Sequence, residues 1–221
     1  MIATEARLAS ETDLAGFRAE SRELLAQQVH PDTVHWQTRK PAAAELFAAP
    51  LPAAASRPRS VARAAAAIVP ASFLRLCESV VLHRDAERFA LLYRLLWRLV
   101  HEPQLRNDPA DPDMMRAQHM AHAVRRDIHK MKTYLKFVPL DGLQVAYFEP
   151  SHHVLEAVAP WFARRHGGQP WVIFTPERSV RSDGQKLLYA PGLAREAVPR
   201  AEGDAAAWRS RVDDIFQPAA A

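Results

Sequence analysis

The sequence has one cysteine, Cys77, set in the apolar stretch FLRLCESVVL. A single thiol excludes an intrachain disulfide framework and fits a reducing compartment; its apolar setting makes Cys77 a small buried hydrophobe rather than a nucleophile. Glycine is scarce, at 7 residues against 17 prolines. None of the glycines falls in G-x-G-x-x-G, GxxxxGK[ST] or G-x-S-x-G, so the signatures of dinucleotide, P-loop and common serine-hydrolase sites are missing. No apolar run approaches the ~20 residues a bilayer span requires. The opening MIATEARLASETDLAGF has no basic segment followed by an apolar one, as a secretory leader would. These absences lead us to expect a soluble, cytoplasmic protein with no membrane partner.

What is present is ordinary in bulk. A chain of 221 residues can bury a core and form one domain with an appendage. Apolar residues make up 48% and charged residues 24%, which argues against general disorder. A formal charge of +4 inclines the surface toward polyanions, a bias too small to identify a nucleic-acid binder unless the charge is concentrated. No period of about 20 to 50 residues repeats, so a solenoid is not expected.

Leu14, Phe17, Leu24 and Leu25 predict a first helix over residues 13–28, capped by Asp13. Residues 41–70 are rich in Ala and Pro and read as a connector anchored by Leu46 and Phe47. Ser72 then suits the cap of a helix ending near His83, with Phe73, Leu76, Cys77, Val80 and Val81 on one face. Asp85 suits the cap of DAERFALLYRLLWRLV, whose Phe89, Leu92, Leu96, Leu99 and Val100 form a core stripe. On its other side Arg84, Arg88, Arg94, Arg98 and His101 share an arc of roughly 140°, which reads as a basic face. Two Asp-Pro pairs precede a further helix opening near Asp113, with Ala117, Met120, Ala121, Val124, Ile128 and Met131 inward.

Beyond this helix the apolar period shortens. TYLKFVPL and LQVAYFEP flank Asp141-Gly142, and PWVIFTPERSV and QKLLYAP flank Ser182-Asp183-Gly184, the pattern of two hairpins. Between them SHHVLEAVAPWFARRH predicts a helix with Ser151 as cap and Pro160 kinking or splitting it. Trp208, Val212, Ile215 and Phe216 place a last short helix on the body. The fold class is α+β, mainly helical in the first two thirds, with a small antiparallel sheet of two hairpins toward the C-terminus. The expected organisation is an N-terminal helical segment 1–40, a connector 41–70 and an α+β domain 71–218.

From Arg116 to Lys136 six Lys or Arg residues accompany one acid, Asp127. On a helix Gln118, His122, Arg125, His129 and Lys132 form a stripe that does not overlap the apolar one. Cations at helical repeat can meet the closely spaced charges of a phosphate backbone. Arg125 and Arg126 can grip phosphate through paired N–H groups, Lys130 and Lys132 act as compact charges, and His129 can donate; the alternative is a solvated face. His152 and His153, near a helix start, can donate to an anion, or one packs under the sheet and the other faces solvent. Glu177 and Asp183 with Arg178 and Arg181 can be imagined as an acid/base group, or as residues ordering a loop and a turn. Ten histidines raise the question of a metal. His122 and His129 lie about 10 Å apart along a helix, and no HExxH or cysteine pair supports His119 and His122, so neither metal nor cofactor is expected.

Four segments, ESVVLHRDAERFALLYRLLWRL, VRRDIHKMKTYLKF, AYFEPSHHVLEAVAPWFARRH and WVIFTPERS with Asp-Gly shortly after, resemble in that order the bacterial domain-of-unknown-function family numbered 4130. The resemblance runs from about Ser72 to Pro218; before it only His35-Trp36 and Leu46-Phe47 match. Members stand in front of UdgX-type uracil-DNA glycosylase modules, or alone beside a DNA-repair radical-SAM protein. The resemblance implies a role in DNA metabolism, in repair of uracil or other base lesions, and no catalytic residues. The positions it carries over are Arg125, Arg126, Asp127, His129, Lys130 and Met131, then Pro150, His152 and His153, then Thr175, Pro176 and Arg178. The iron–sulfur cysteines and uracil-recognition motifs of the glycosylase module are absent. For want of those motifs glycosylase activity is not expected; fused members continue past the equivalent of IFQP, whereas this chain ends in three alanines.

The resulting expectation is a DNA-repair accessory or DNA-binding module without catalysis of its own. Its partners would be DNA and a uracil-DNA glycosylase module or radical-SAM repair protein. One alternative is a nucleotide- or nucleic-acid-processing enzyme with His129 and His152 or His153 as acid and base and Arg178 holding phosphate. Another is a protein-docking module that uses the arginine face of helix 85–101.

Overall fold

The computed structural model describes residues 4–39, 69–102, 104–105, 108, 110–140, 142–199 and 205–216. The connector expected at 41–70 lies almost wholly outside them, as does Asp141. The chain divides into two compact units between Arg125 and Arg126, within one continuous helix.

In the first unit a strand β1 (Thr4–Leu8) leads through helix α1 (Leu14–Ala26) to a parallel partner β2 (Val34–Thr38), with Thr4 opposite Val34. The segment is therefore not purely helical, as the sequence suggested. Each five-residue strand alternates inward and exposed residues, with Ala6, Leu8 and Val34 in the core, the two-residue period of a half-buried strand. Asp13 caps α1 as expected, its Oδ1 accepting the Gly16 N–H at 2.7 Å. A Cβ at Gly16 would lie 2.1 Å from that carboxylate, so glycine lets the cap close.

Helix α2 (Ala71–Val80) starts from Pro70, whose carbonyl accepts the Phe73 and Leu74 N–H groups. Ser72 thus sits inside the first turn and is not the cap. Helix α3 (Arg88–His101) begins later than expected, because Asp85 makes a turn first: its carboxylate accepts the Glu87 N–H and its carbonyl the Arg88 N–H. Helix α4 (Pro112–Tyr134) opens on a proline, whose missing N–H costs nothing in a first turn. Asp111 accepts the Met114 N–H at 2.9 Å and caps it. The core of this unit joins Phe17, Trp36, Phe89 and Tyr93, with ring centroids 5.1 to 6.1 Å apart. Cys77 packs in the same core, and burial pushes its thiol up to about 12, which suppresses the thiolate a nucleophile requires.

The second unit holds a five-stranded sheet in the order β3 (Val138–Leu140), β4 (Leu143–Tyr147), β5 (Trp171–Phe174), β6 (Arg178–Ser182), β7 (Leu187–Pro191). The α+β class and the sheet toward the C-terminus are as the sequence implies. The connectivity differs in one respect. PWVIFTPERSV is itself a hairpin, β5–β6, and β4 pairs with β5 in parallel across helix α5 (Leu155–Arg165). All four residues of β5 are buried, because the strand is covered on both faces. Trp171 meets Phe162 and Phe137 on one side, and Phe174 stacks on Trp208 of helix α6 (Ala205–Phe216) on the other. Such a strand reads as one apolar run with no alternation. Trp208 and Val212 dock α6 on the sheet as expected.

Helix α5 runs unbroken through Pro160 instead of splitting there. The missing N–H removes one hydrogen bond, to the Glu156 carbonyl, on an exposed side of the helix. Gly142 and Gly184, in the two Asp-Gly turns, take φ of 84° and 96°, the left-handed region glycine enters without a Cβ penalty. Among the described residues no helix is long and apolar enough to cross a membrane.

Candidate functional site

Helix α4 separates the charges of its sequence by face. Ala117, Met120, Ala121, Val124 and Met131 are buried as expected. Between them Asp127, only 5% exposed, takes the inward place, while Ile128 lies half-buried at the margin. The opposite face presents Arg125, Arg126, His129 and Lys130 exposed, and among the described residues no carboxylate pairs with any of them. Lys132 is half-buried, its Nζ 5.4 Å from the centre of the Trp161 ring.

The arginines of α3 are used differently. Arg88 is 2% exposed and donates to the carbonyls of Val81, Asp85 and Glu11 and to the Glu11 carboxylate. Arg98 meets Asp111 at 2.7 Å and also Glu102 and Asp113; Arg94 meets Asp113 at 3.4 Å. The expected basic face of helix 85–101 is therefore not a free surface. Glu102 stands four residues after Arg98, a pairing helical spacing reveals, whereas Glu11, Asp111 and Asp113 lie outside the helix at positions that spacing cannot reveal. Burial alone would push the Asp111 carboxyl up, but the Arg98 hydrogen bond and charge and the Met114 N–H hold it below its usual value.

In the second unit three separate sequence motifs meet. Asp127, of RRDIHKM, accepts the His152 N–H of EPSHH at 2.9 Å. His153 Nδ1 lies 2.7 Å from Glu177 Oε2 of TPERS, and Arg178 pairs with Glu156 at the start of α5. The Arg178 guanidinium also lies 5.2 Å over the Tyr189 ring, and burial pushes its pKa down against the opposing influence of Tyr189. Thr175 Oγ1 donates to the Arg178 carbonyl and closes the β5–β6 turn. His152 and His153 occupy a bend before α5, whose cap position is Val154, so Ser151 is not the cap.

This arrangement connects His153, Glu177, Arg178 and Glu156, but it does not recruit His129. That side chain points about 200° around α4 from Asp127 and makes no hydrogen bond with His152, His153 or Arg178 among the described residues. Asp183 makes its turn as the sequence allowed, accepting the N–H groups of Gln185 and Lys186. The sequence reading missed Glu156 as the Arg178 partner and Asp127 as the anchor of the histidine bend; no local spacing marks either.

A pocket of about 480 Å³ lies elsewhere, lined by Tyr147, Arg195, Glu196, Val198 and Pro199. Its guanidinium is already paired with Glu149, and burial pushes the Tyr147 phenol up to about 12. Among the described residues no group of three or more His, Cys, Asp or Glu could hold a metal ion. The model of a family described as a domain of unknown function, DUF4130, matches residues 86–214. No curated protein and no solved structure matches the chain.

Proposed function

For a chain that belongs to the DUF4130 family of domains of unknown function, we propose a DNA-binding accessory role in which the exposed face of α4 grips the phosphate backbone. The observation that carries this reading is the set of exposed basic side chains, the cations Arg125, Arg126 and Lys130 with the His129 imidazole beside them, free of carboxylate partners among the described residues. Unneutralised cations at helical spacing exchange condensed counterions for phosphate, which yields affinity that falls with salt and depends little on sequence. His152, His153 and Arg178 support the site indirectly: they belong to the network that Asp127 ties to the base of the same helix.

On this reading the binding serves base-lesion repair by presenting DNA to a uracil-DNA glycosylase or radical-SAM repair partner, a role supported by the resemblance to domains found beside such proteins. Fluorescence polarisation with single-stranded, duplex and uracil-containing DNA at two salt concentrations tests the binding. Arg126→Gln and Lys130→Gln should each reduce the salt slope by about one counterion. Absence of salt-sensitive binding would remove the reading. The repair association is tested by adding the protein to a uracil-DNA glycosylase assay, where faster or more processive uracil release is expected.

A further inference from the structure

We infer that the second unit binds single-stranded DNA in preference to duplex, with Trp161 as a base-stacking platform at the edge of the α4 cations. This deepens the proposed function and rests on it. Trp161 on α5 is half-buried, with Lys132 Nζ 5.4 Å and the Arg165 guanidinium carbon 5.5 Å from its ring centre. Below it the ring meets Phe162 edge-on at 5.0 Å. Phe162 in turn packs with Phe137, His166 and Trp171. The indole is therefore held at its edge by the buried Phe162, and Lys132 and Arg165 lie over its ring, where a stacking base takes the place of one cation and leaves that charge to the adjoining phosphate. A platform fixed in advance loses little freedom when a base stacks on it.

On the other margin of the same helix face stands a second aromatic. Tyr134 is 68% exposed, a value that the core has no use for in so large a side chain. Arg126, Lys130 and Tyr134 follow one another at i, i+4 and i+8, so the phenol ends a row of cations. His129 and Lys132 form the neighbouring row, and Trp161 lies beyond Lys132. The surface thus presents cations between two rings. Paired bases are stacked inside a duplex and hide their faces, whereas a single strand offers both its phosphates to the cations and its unstacked bases to the rings. A surface that met phosphate alone would have no use for the rings.

The test is polarisation of labelled oligothymidylate and of a duplex of equal length, with wild type, Trp161→Leu, Trp161→Phe and Tyr134→Ala. Wild type should bind the single strand more tightly. Trp161→Leu should weaken single-strand binding about tenfold, within the range of losing one stacked base, while leaving duplex binding within about twofold. Trp161→Phe, which keeps an aromatic face, should recover most of the loss. Tyr134→Ala should weaken single-strand binding by a smaller factor with no change in Tm, and it keeps the question answerable if Trp161→Leu does not fold. Equal affinity of wild type for both DNA forms, or an unchanged single-strand affinity in folded Trp161→Leu and Tyr134→Ala, overturns the inference and leaves phosphate gripping standing. Wild type that binds neither form in a salt-dependent manner overturns both.

Discussion

Helices α3 and α4 each carry basic residues at helical spacing, and on paper the two rows look alike. In the folded protein they differ. Arg88, Arg94 and Arg98 on α3 are absorbed by backbone carbonyls and by Glu11, Glu102, Asp111 and Asp113, whereas Arg125, Arg126 and Lys130 on α4 remain exposed and unpaired among the described residues. A row of cations becomes a candidate anion site only when the fold leaves it without internal partners. The α3 arginines serve stability and the α4 cations are available for a ligand.

That contrast breaks down if the two sets respond alike to substitution. The largest effect is expected at Arg88. Arg88→Met removes the donor from the carbonyls of Val81, Asp85 and Glu11 and breaks the pair with the Glu11 carboxylate, which is 44% exposed and also accepts the Thr38 hydroxyl; each buried acceptor left unpaired costs about 1–3 kcal/mol. Urea unfolding should show this loss, and a change below about 1 kcal/mol would contradict the structural role.

Next comes Asp111, which caps α4 and pairs with Arg98. Asp111→Ala should cost about 2 kcal/mol, the upper range for a helix cap. Because its carboxyl is held below its usual value in the folded state, its stabilising contribution is complete above the unfolded value of about 3.9 and is lost as pH falls through the lower folded value. Wild type should therefore show an acid-side fall in Tm that Asp111→Ala lacks in part.

His166 sharpens the comparison from a third side, as a basic group the fold keeps neutral. Burial, then the charge of Arg165, push its pKa down, and its ring lies 4.7 Å from Phe137. A depressed folded value means full stability above the unfolded value of about 6.5 and a loss as pH falls through the lowered one. Tm measured across that window should decline in wild type, and the decline should flatten in His166→Phe. The smallest effect on stability belongs to Arg126→Gln and Lys130→Gln, within about 0.5 kcal/mol for exposed positions. Thermal melts run beside the binding titrations should show that separation.

Local features of the sequence were readable where the physics is local. Asp13 caps α1 because its carboxylate reaches an N–H three residues on. The inward stripe of α4 follows from 3.6-residue periodicity, although Asp127 occupies a buried place that composition would reserve for Ile128. The run WVIFTPERSV concealed two strands, since a strand buried on both faces shows no alternation and its turn is closed by Thr175. Strands β1 and β2 were missed although each alternates inward and exposed residues, because that alternation covers only five residues and its pairing is non-local, across helix α1.

The amino-acid order by itself determined the helical segments, the Asp-Gly turns, the buried thiol and the concentration of positive charge between Arg116 and Lys136, because each depends on neighbours a few residues away. Only tertiary structure decided which cations are neutralised. It also decided that RRDIHKM, EPSHH and TPERS meet through Asp127, His153 and Glu177, and that Lys132 reaches the Trp161 ring. Those outcomes follow from contacts between groups distant in sequence, whose charges and rings acquire partners only when the chain closes on itself.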